Sequence, residues 1–374
     1  MKCPALFLSL LLCGYAAAAQ PTVATSPPTT KRPASTTVDR ECSCTVSKIW
    51  LDIAVIIDVS EAMDDGVYGV AAQLISVFGQ LNISQQDGQF ARVALVTAAG
   101  TATKLSDLTT YKDTTALVNA ITSLQPGKDK TINIQAALKV VADIFESNGS
   151  KRNRKQVVLL YASAYNQGGY ADPKGTALQL RDGGISIITV AYVQASETSD
   201  VLKISELASL GFAFSNIETA DLVDSITNAF CQANCFCPTN WAQFADEYDT
   251  PGSHKYGVCL KYVGMEASWF AANAIGCRHN GVNGSHLVTE FSSAKQIFNQ
   301  AYYVDASNQT GISLDTISYH IGLRTKVPNT SGYVVKSNGH IIQWENSNCY
   351  TDAQNYLCEA AACDTDNYCA HVDF

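Results

Sequence analysis

At 374 residues the chain is long enough for two ordinary domains, and a composition 47% hydrophobic but only 16% charged describes a folding chain rather than a disordered one. Its formal charge of −9 argues against nucleic acid and against anionic membrane surfaces as partners.

Residues 1–19 read as a secretory leader, with Lys2 ahead of the apolar run Ala5–Leu12 and Ala17-Ala18-Ala19 supplying small residues for cleavage before Gln20. Losing Lys2 with the leader leaves 24 basic against 34 acidic residues, a charge of −10. No later run offers 18 uninterrupted apolar residues, so the expected product is secreted and extracellular, with no membrane insertion. Residues 20–44 begin with a stretch rich in Thr, Pro, Ser and Ala, as in Thr25-Ser26-Pro27-Pro28-Thr29-Thr30. Such a composition cannot bury a core, and it suits a stiff O-glycosylated stalk or a plain flexible spacer equally.

From 45 to 231 strand and helix patterns alternate. Strand-like runs lie at 49–57, 92–98, 156–161 and 185–193, and helix-like runs near 67–81, 114–124, 132–147, 172–182, 200–210 and 219–230. Alternation of this kind predicts an α/β fold, a doubly wound parallel sheet covered on both faces. Gly183-Gly184 should stop one helix before the strand Ile185–Val190. The basic cluster Lys151-Arg152-Asn153-Arg154-Lys155 reads as a solvated turn.

The β-branched run from Asp52 ends in Asp58, with Ser60 two residues on. That places polar groups at the carboxyl end of a buried strand, where open α/β sheets bind ligands. The run resembles the Asp-x-Ser-x-Ser strand end of von Willebrand factor A domains, and Leu180–Ile187 with Ile204–Ser209 resembles that family's last helix–strand–helix. The resemblance implies a divalent-cation site, with Asp58 and Ser60 as ligands from the first loop and Thr131 from the second. It departs at two ligand positions, where Ala62 replaces a hydroxyl and Ala162 a carboxylate. A hard cation needs several oxygens, so the expectation is a structural remnant at Asp58, Ser60 and Thr131, with no cofactor. Asp64 and Asp65 at a helix entry read as caps or dipole partners.

Beyond Cys231 the texture turns to Trp, Tyr, Gly, Asn and Cys. Cys237-Pro238-Thr239-Asn240-Trp241 resembles the opening of a long-form C-type lectin domain, and Ser268-Trp269-Phe270-Ala271-Ala272 its first helix. His286-Leu287-Val288, His320-Ile321-Gly322-Leu323 (with His for the usual Trp) and Tyr356-Leu357-Cys358-Glu359 resemble its later signatures. The resemblance implies an α+β C-type lectin-like domain over 235–360, bridged Cys237–Cys259 and Cys277–Cys358, ahead of a Cys-containing tail over 361–374.

Sugar-binding members hold Ca²⁺ through a Pro-containing tripeptide and a Trp-Asn-Asp strand. The tripeptide is missing here, and only 34 residues separate Leu323 from Cys358. Trp344-Glu345-Asn346 stands for the second motif. Glu345 and Asn346 offer a partial ligand set, and the preferred reading is a strand end with Trp344 in the core. In the tail, Asp364, Asp366, His371 and Asp373 suggest a metal less readily than a cystine-tethered polar segment.

Eleven cysteines follow the leader, which in an exported chain points to disulfides and leaves one unpaired, free or linking two chains into an oligomer. Domain termini lie close together, so one of Cys42 or Cys44 should join Cys231 or Cys235. Cys349 would reach Cys363 or Cys369. Sequons at Asn82, Asn148, Asn283, Asn308 and Asn329 fit an exported glycoprotein. No nucleophile elbow, zinc-protease helix, phosphate loop or dinucleotide fingerprint occurs, so no enzyme is expected.

The two resemblances in this order are similar to secreted nematode proteins joining a von Willebrand A domain to a C-type lectin domain, generally regarded as extracellular recognition or defence proteins. The expectation is a secreted recognition protein whose partner is a glycan or an extracellular protein. The alternatives are a structural or adhesive matrix component and a conventional Ca²⁺-dependent lectin.

Overall fold

The computed structural model describes residues 40–147, 153–165, 169–194, 201–279, 282, 284–310, 317–324, 331–337 and 342–370. The leader, most of the Thr/Pro-rich stretch, Lys151 and Arg152, the sequons at Asn148, Asn283 and Asn329, and His371 and Asp373 lie outside the described residues. Asn82 and Asn308 are both exposed.

The first half alternates as expected. It runs β1 (Leu51–Asp58), α1 (Gly66–Phe78), β2 (Arg92–Ala98), β3 (Ala102–Lys104), α2 (Thr114–Thr122), α3 (Ile134–Ser147), β4 (Lys155–Ala162), α4 (Lys174–Asp182), β5 (Ser186–Ala191), β6 (Ala213–Ser215) and α5 (Leu222–Ala233). The sheet order is β3-β2-β1-β4-β5-β6, parallel except for β3. Every residue of β1 is buried because both sheet faces are covered: Ile53, Val55 and Ile57 enter one core, Ala54 and Ile56 the other. Asp113 and Asp221 cap α2 and α5 by accepting from Ala116 N and Asp224 N. Gly184, at φ 83°, ends α4 in the left-handed region. The run expected as a helix at 200–210 is instead a 3-10 helix, Val201–Leu207. The short edges β3 and β6 carried no pattern long enough to read.

The second half holds β7 (Ala242–Ala245), β8 (Lys255–Ser268), the single turn α6 (Trp269–Ala271), β9 (His286–Leu287), α7 (Ser293–Gln309), β10 (Ile317–Arg324), β11 (Ser331–Ser337), β12 (Ile342–Asn348) and β13 (Ala353–Ala361). Its sheet runs β12-β11-β10-β13-β8-β7, with β9 also on β13 and β12 at one edge. One core packs α7 residues Phe298 and Tyr303 with Tyr319, Ile321 and Val335. A second gathers Trp269, Cys259, Cys277 and Cys358.

Five disulfides are present among the described residues: Cys42–Cys235, Cys44–Cys231, Cys237–Cys259, Cys277–Cys358 and Cys363–Cys369. Cys44 therefore reaches the last turn of α5, and Cys42 the segment just after it. Arg40 pairs with buried Asp364 at 2.8 Å, and Thr45 N donates to Thr365 Oγ1 at 2.8 Å, so residues 40–45 belong to the folded body rather than to a stalk. Asp364 also accepts from Ser43 N at 3.1 Å and from Asp366 N and Asn367 N, both at 3.0 Å. Those bonds fill it with internal donors.

The pairing of Cys349 with Cys363 or Cys369 is corrected: those two close a loop on each other, six residues apart, and among the described residues Cys349 is the free cysteine, 2% exposed. Burial pushes its thiol up, against the pull of the Arg324 guanidinium. The leaderless native chain should accordingly show almost no reaction with Ellman's reagent, and one thiol equivalent after unfolding in denaturant without reductant. Rapid labelling of the native chain at Cys349 would contradict this.

Candidate functional site

At the carboxyl end of the first sheet, β1 delivers Asp58 and β4 delivers Ala162. Asp58 is fully buried, and its carboxylate is already occupied. Oδ1 accepts from Ser60 N at 2.8 Å, and Oδ2 accepts from Ser163 N at 2.8 Å and Ser163 Oγ at 2.6 Å. Thus Ser163, one residue past the alanine that marks the missing ligand, donates two hydrogen bonds to the aspartate. Sequence reasoning passed over it because it does not fall on a ligand position.

The loop carrying Thr131 is tied to the same end. Glu61 N donates to Asp129 O, Gly127 N to Val59 O and Asn133 N to Ala99 O, each at 2.7 Å. Asn133 caps α3 by accepting from Ala136 N at 2.9 Å. Thr131 itself is exposed. A Cβ at Gly100 would lie 3.3 Å from Asp129 Oδ2 and 3.4 Å from Thr131 Oγ1, so glycine permits that close approach. The reading of Asp64 and Asp65 as caps is corrected in part: Asp65 holds the N-cap position of α1 without a side-chain capping bond.

Do these residues fit a divalent cation? Ser60 Oγ is buried without a hydrogen-bond partner, which would suit a ligand. Against it, Ala62 and Ala162 carry no side-chain oxygen, and the inner oxygen of Asp58 is held by two donors from Ser163. Among the described residues no group of three or more His, Cys, Asp and Glu side chains gathers elsewhere. The residues present do not fit the ion.

In the second sheet Trp344, Glu345 and Asn346 lie on β12. Their side chains alternate between faces, since β12 pairs regularly with β11. Glu345 is ion-paired with Lys336 at 2.7 Å and accepts from Gln343 Nε2 at 2.8 Å. Trp344 and Asn346 share the opposite face, so the three do not converge on one ion. The placing of Trp344 in the core is also corrected: the indole is 45% exposed because β12 is the sheet edge. Its Nε1 donates to Glu290 Oε2 at 3.2 Å.

His320, on β10, is fully buried, with Nε2–H donated to Ala267 O at 2.9 Å. Burial is the leading influence and holds its imidazole below the ordinary range, while the bonds to backbone act the other way. Below about pH 6.5 the unfolded chain takes up this proton and the folded chain resists it, so the contribution to stability is present above that value and lost as pH falls towards the folded value. The urea midpoint should fall from about pH 7 to pH 5, more steeply in the wild type than in His320→Gln. Equal slopes would assign the loss to other groups.

Residues 52–228 match the family model of the von Willebrand factor type A domain. The C-type lectin domain-containing protein 160 of Caenorhabditis elegans is 30% identical over 370 residues, an alignment covering 88% of this chain and 56% of that protein. The chain thus spans little more than half the length of the curated relative it matches. Among solved structures, proximal thread matrix protein 1 from the mussel byssus is similar at 20% identity and a TM-score of 0.42, covering 50% of this chain and 48% of that one. The manganese-loaded TRAP protein of Plasmodium vivax is similar at 14% identity and a TM-score of 0.41, covering 57% and 86%.

Proposed function

We propose, from the premise that residues 52–228 form a von Willebrand factor type A domain, that the chain is a secreted, non-enzymatic recognition protein. In this reading a C-type lectin-like domain over 235–360 follows it, and a glycan or extracellular protein is met through surface contacts with no bound Ca²⁺ or Mg²⁺. The observation that carries it is the internal occupation of both candidate ion sites, Asp58 by Ser163 and Glu345 by Lys336. The likeness along most of the chain to a protein named for its C-type lectin domain supports the second half of the reading. No helix of the described residues is long and apolar enough to cross a membrane.

The adhesive-matrix alternative needs a link between chains. Cys349, buried to 2% exposure, offers no thiol for one without local opening. A glycan array run on the full secreted chain with and without EDTA separates the readings. Binding that survives EDTA supports the proposal, and binding abolished by EDTA supports a Ca²⁺-dependent lectin. Covalent multimers on a non-reducing gel, with no glycan bound, would favour the matrix role.

A further inference from the structure

Trp344 combines two properties that seldom go together, since its indole is 45% exposed and yet tethered. The tether is Glu290, only 5% exposed, whose Oε2 accepts from Trp344 Nε1 at 3.2 Å and Gln296 Nε2 at 3.1 Å. Its Oε1 accepts from Tyr319 Oη at 2.6 Å and Asn299 Nδ2 at 3.0 Å. These four donors are all neutral and come from α7, β10 and β12. Together they hold the carboxylate, and through it the indole, in one place. A buried carboxylate is costly, and neutral donors offset that cost only if all are aligned. Accepting the indole N–H also pushes electron density onto the ring, which makes its exposed face more attractive to polarised C–H bonds.

What lies around the ring narrows the ligand. Asn346, exposed and two residues on, projects from the same face of β12 and stands opposite Tyr333 on β11. Together with the indole this supplies one exposed aromatic face and an amide. Neither of the described glutamates here is free for a cationic ligand, because Glu290 is saturated and Glu345 is paired with Lys336 on the other face. A pyranose uses both parts: its axial C–H bonds stack on an aromatic ring and its hydroxyls bond to an amide.

We propose that Trp344, with Asn346 beside it, is a calcium-independent platform on which a pyranose ring of a glycan stacks. This rests on the glycan branch of the function proposed above and names its site. Asn346 orients the sugar, and Glu290 is a positioning residue that holds the indole.

The test uses the full secreted chain in EDTA and saturation-transfer NMR with methyl glycosides of glucose, galactose, mannose and N-acetylglucosamine, beside the glycan array. At least one glycoside or array glycan should bind the wild type. Trp344→Ala should weaken it about tenfold or more, and Trp344→Phe and Asn346→Ala about threefold or more each. Asn346→Ala should keep the wild-type thermal midpoint, whereas both Trp344 variants lose the N–H donated to buried Glu290 and should melt lower, by an equal amount if both fold, while staying folded at the assay temperature; if Trp344→Ala fails to fold, the Phe variant decides. Wild-type binding that Trp344→Phe and Asn346→Ala leave unchanged overturns this site and leaves the glycan reading standing. Binding that requires Ca²⁺ overturns the calcium-free platform. No binding of any glycoside or array glycan by the wild type overturns the glycan reading and the platform with it.

Discussion

Millimolar Mg²⁺, Mn²⁺ or Ca²⁺ should leave the thermal midpoint of the wild-type chain unmoved, and the double variant Ala62→Ser/Ala162→Asp should gain a response to at least one of them. A ligand that binds only the native state stabilises it by mass action, about 2.7 kcal/mol when present at about 100 times its dissociation constant. For a domain of this size that is a rise of roughly 5–10 °C. The two substitutions restore the oxygens whose absence leaves Asp58 to Ser163, whose Oγ donates to it at 2.6 Å. Ser163→Ala supplies the complementary arm. It strips a charge-assisted bond from a fully buried carboxylate and should destabilise the domain by about 1.5–3 kcal/mol without creating a cation response. A wild-type midpoint that climbs with Mn²⁺ and stops climbing in Asp58→Ala would sink the idea that Ser163 has taken over the ion's role.

The second large effect is expected at Trp50. This side chain precedes β1, has no exposed surface, and meets Phe236 and Tyr368 edge-on at ring distances of 6.1 and 5.1 Å. Its Nε1 donates to Asn153 O at 2.9 Å, and Asn153 Nδ2 in turn donates to Tyr368 Oη at 3.1 Å. Gln89 Nε2 adds a bond to Thr365 O at 2.9 Å. The ring is thus shared between the first sheet and the loop closed by Cys363–Cys369. Trp50→Ala should cost about 3–5 kcal/mol, as truncating a large buried aromatic does. Because the lost contacts join the first sheet to the loop closed by Cys363–Cys369, calorimetry should show one transition in the wild type and two in the variant. A loss below about 1 kcal/mol, or one unsplit transition, would mean that the disulfides alone couple the two halves.

Much of this was legible in the residues themselves. A strand buried on both faces must be apolar at every position, so the run from Ile53 to Ile57 announced a central parallel strand. The helix patterns near 67–81 and 114–124 correspond to α1 and α2, because a 3.6-residue apolar period is a local property. The loss of side-chain ligand oxygens at Ala62 and Ala162 could be read directly, since an alanine side chain offers none whatever the fold.

Other features depended on what folding brings together. Ser163 meets Asp58 across 105 positions of sequence, and nothing near either residue encodes that contact. Trp344 has the spelling of a core aromatic, but its exposure follows from β12 being the edge of the sheet, a matter of strand order. Glu290 looks like any surface glutamate until α7, β10 and β12 converge on it. The same holds for the tail, read as a cystine-tethered polar segment, in which Asp364 closes on Arg40, 324 positions away. The sequence by itself determined periodicity, composition and which atoms each side chain can offer. Tertiary structure alone decided which of those atoms meet, because strand order and loop closure place partners that local pattern cannot reach.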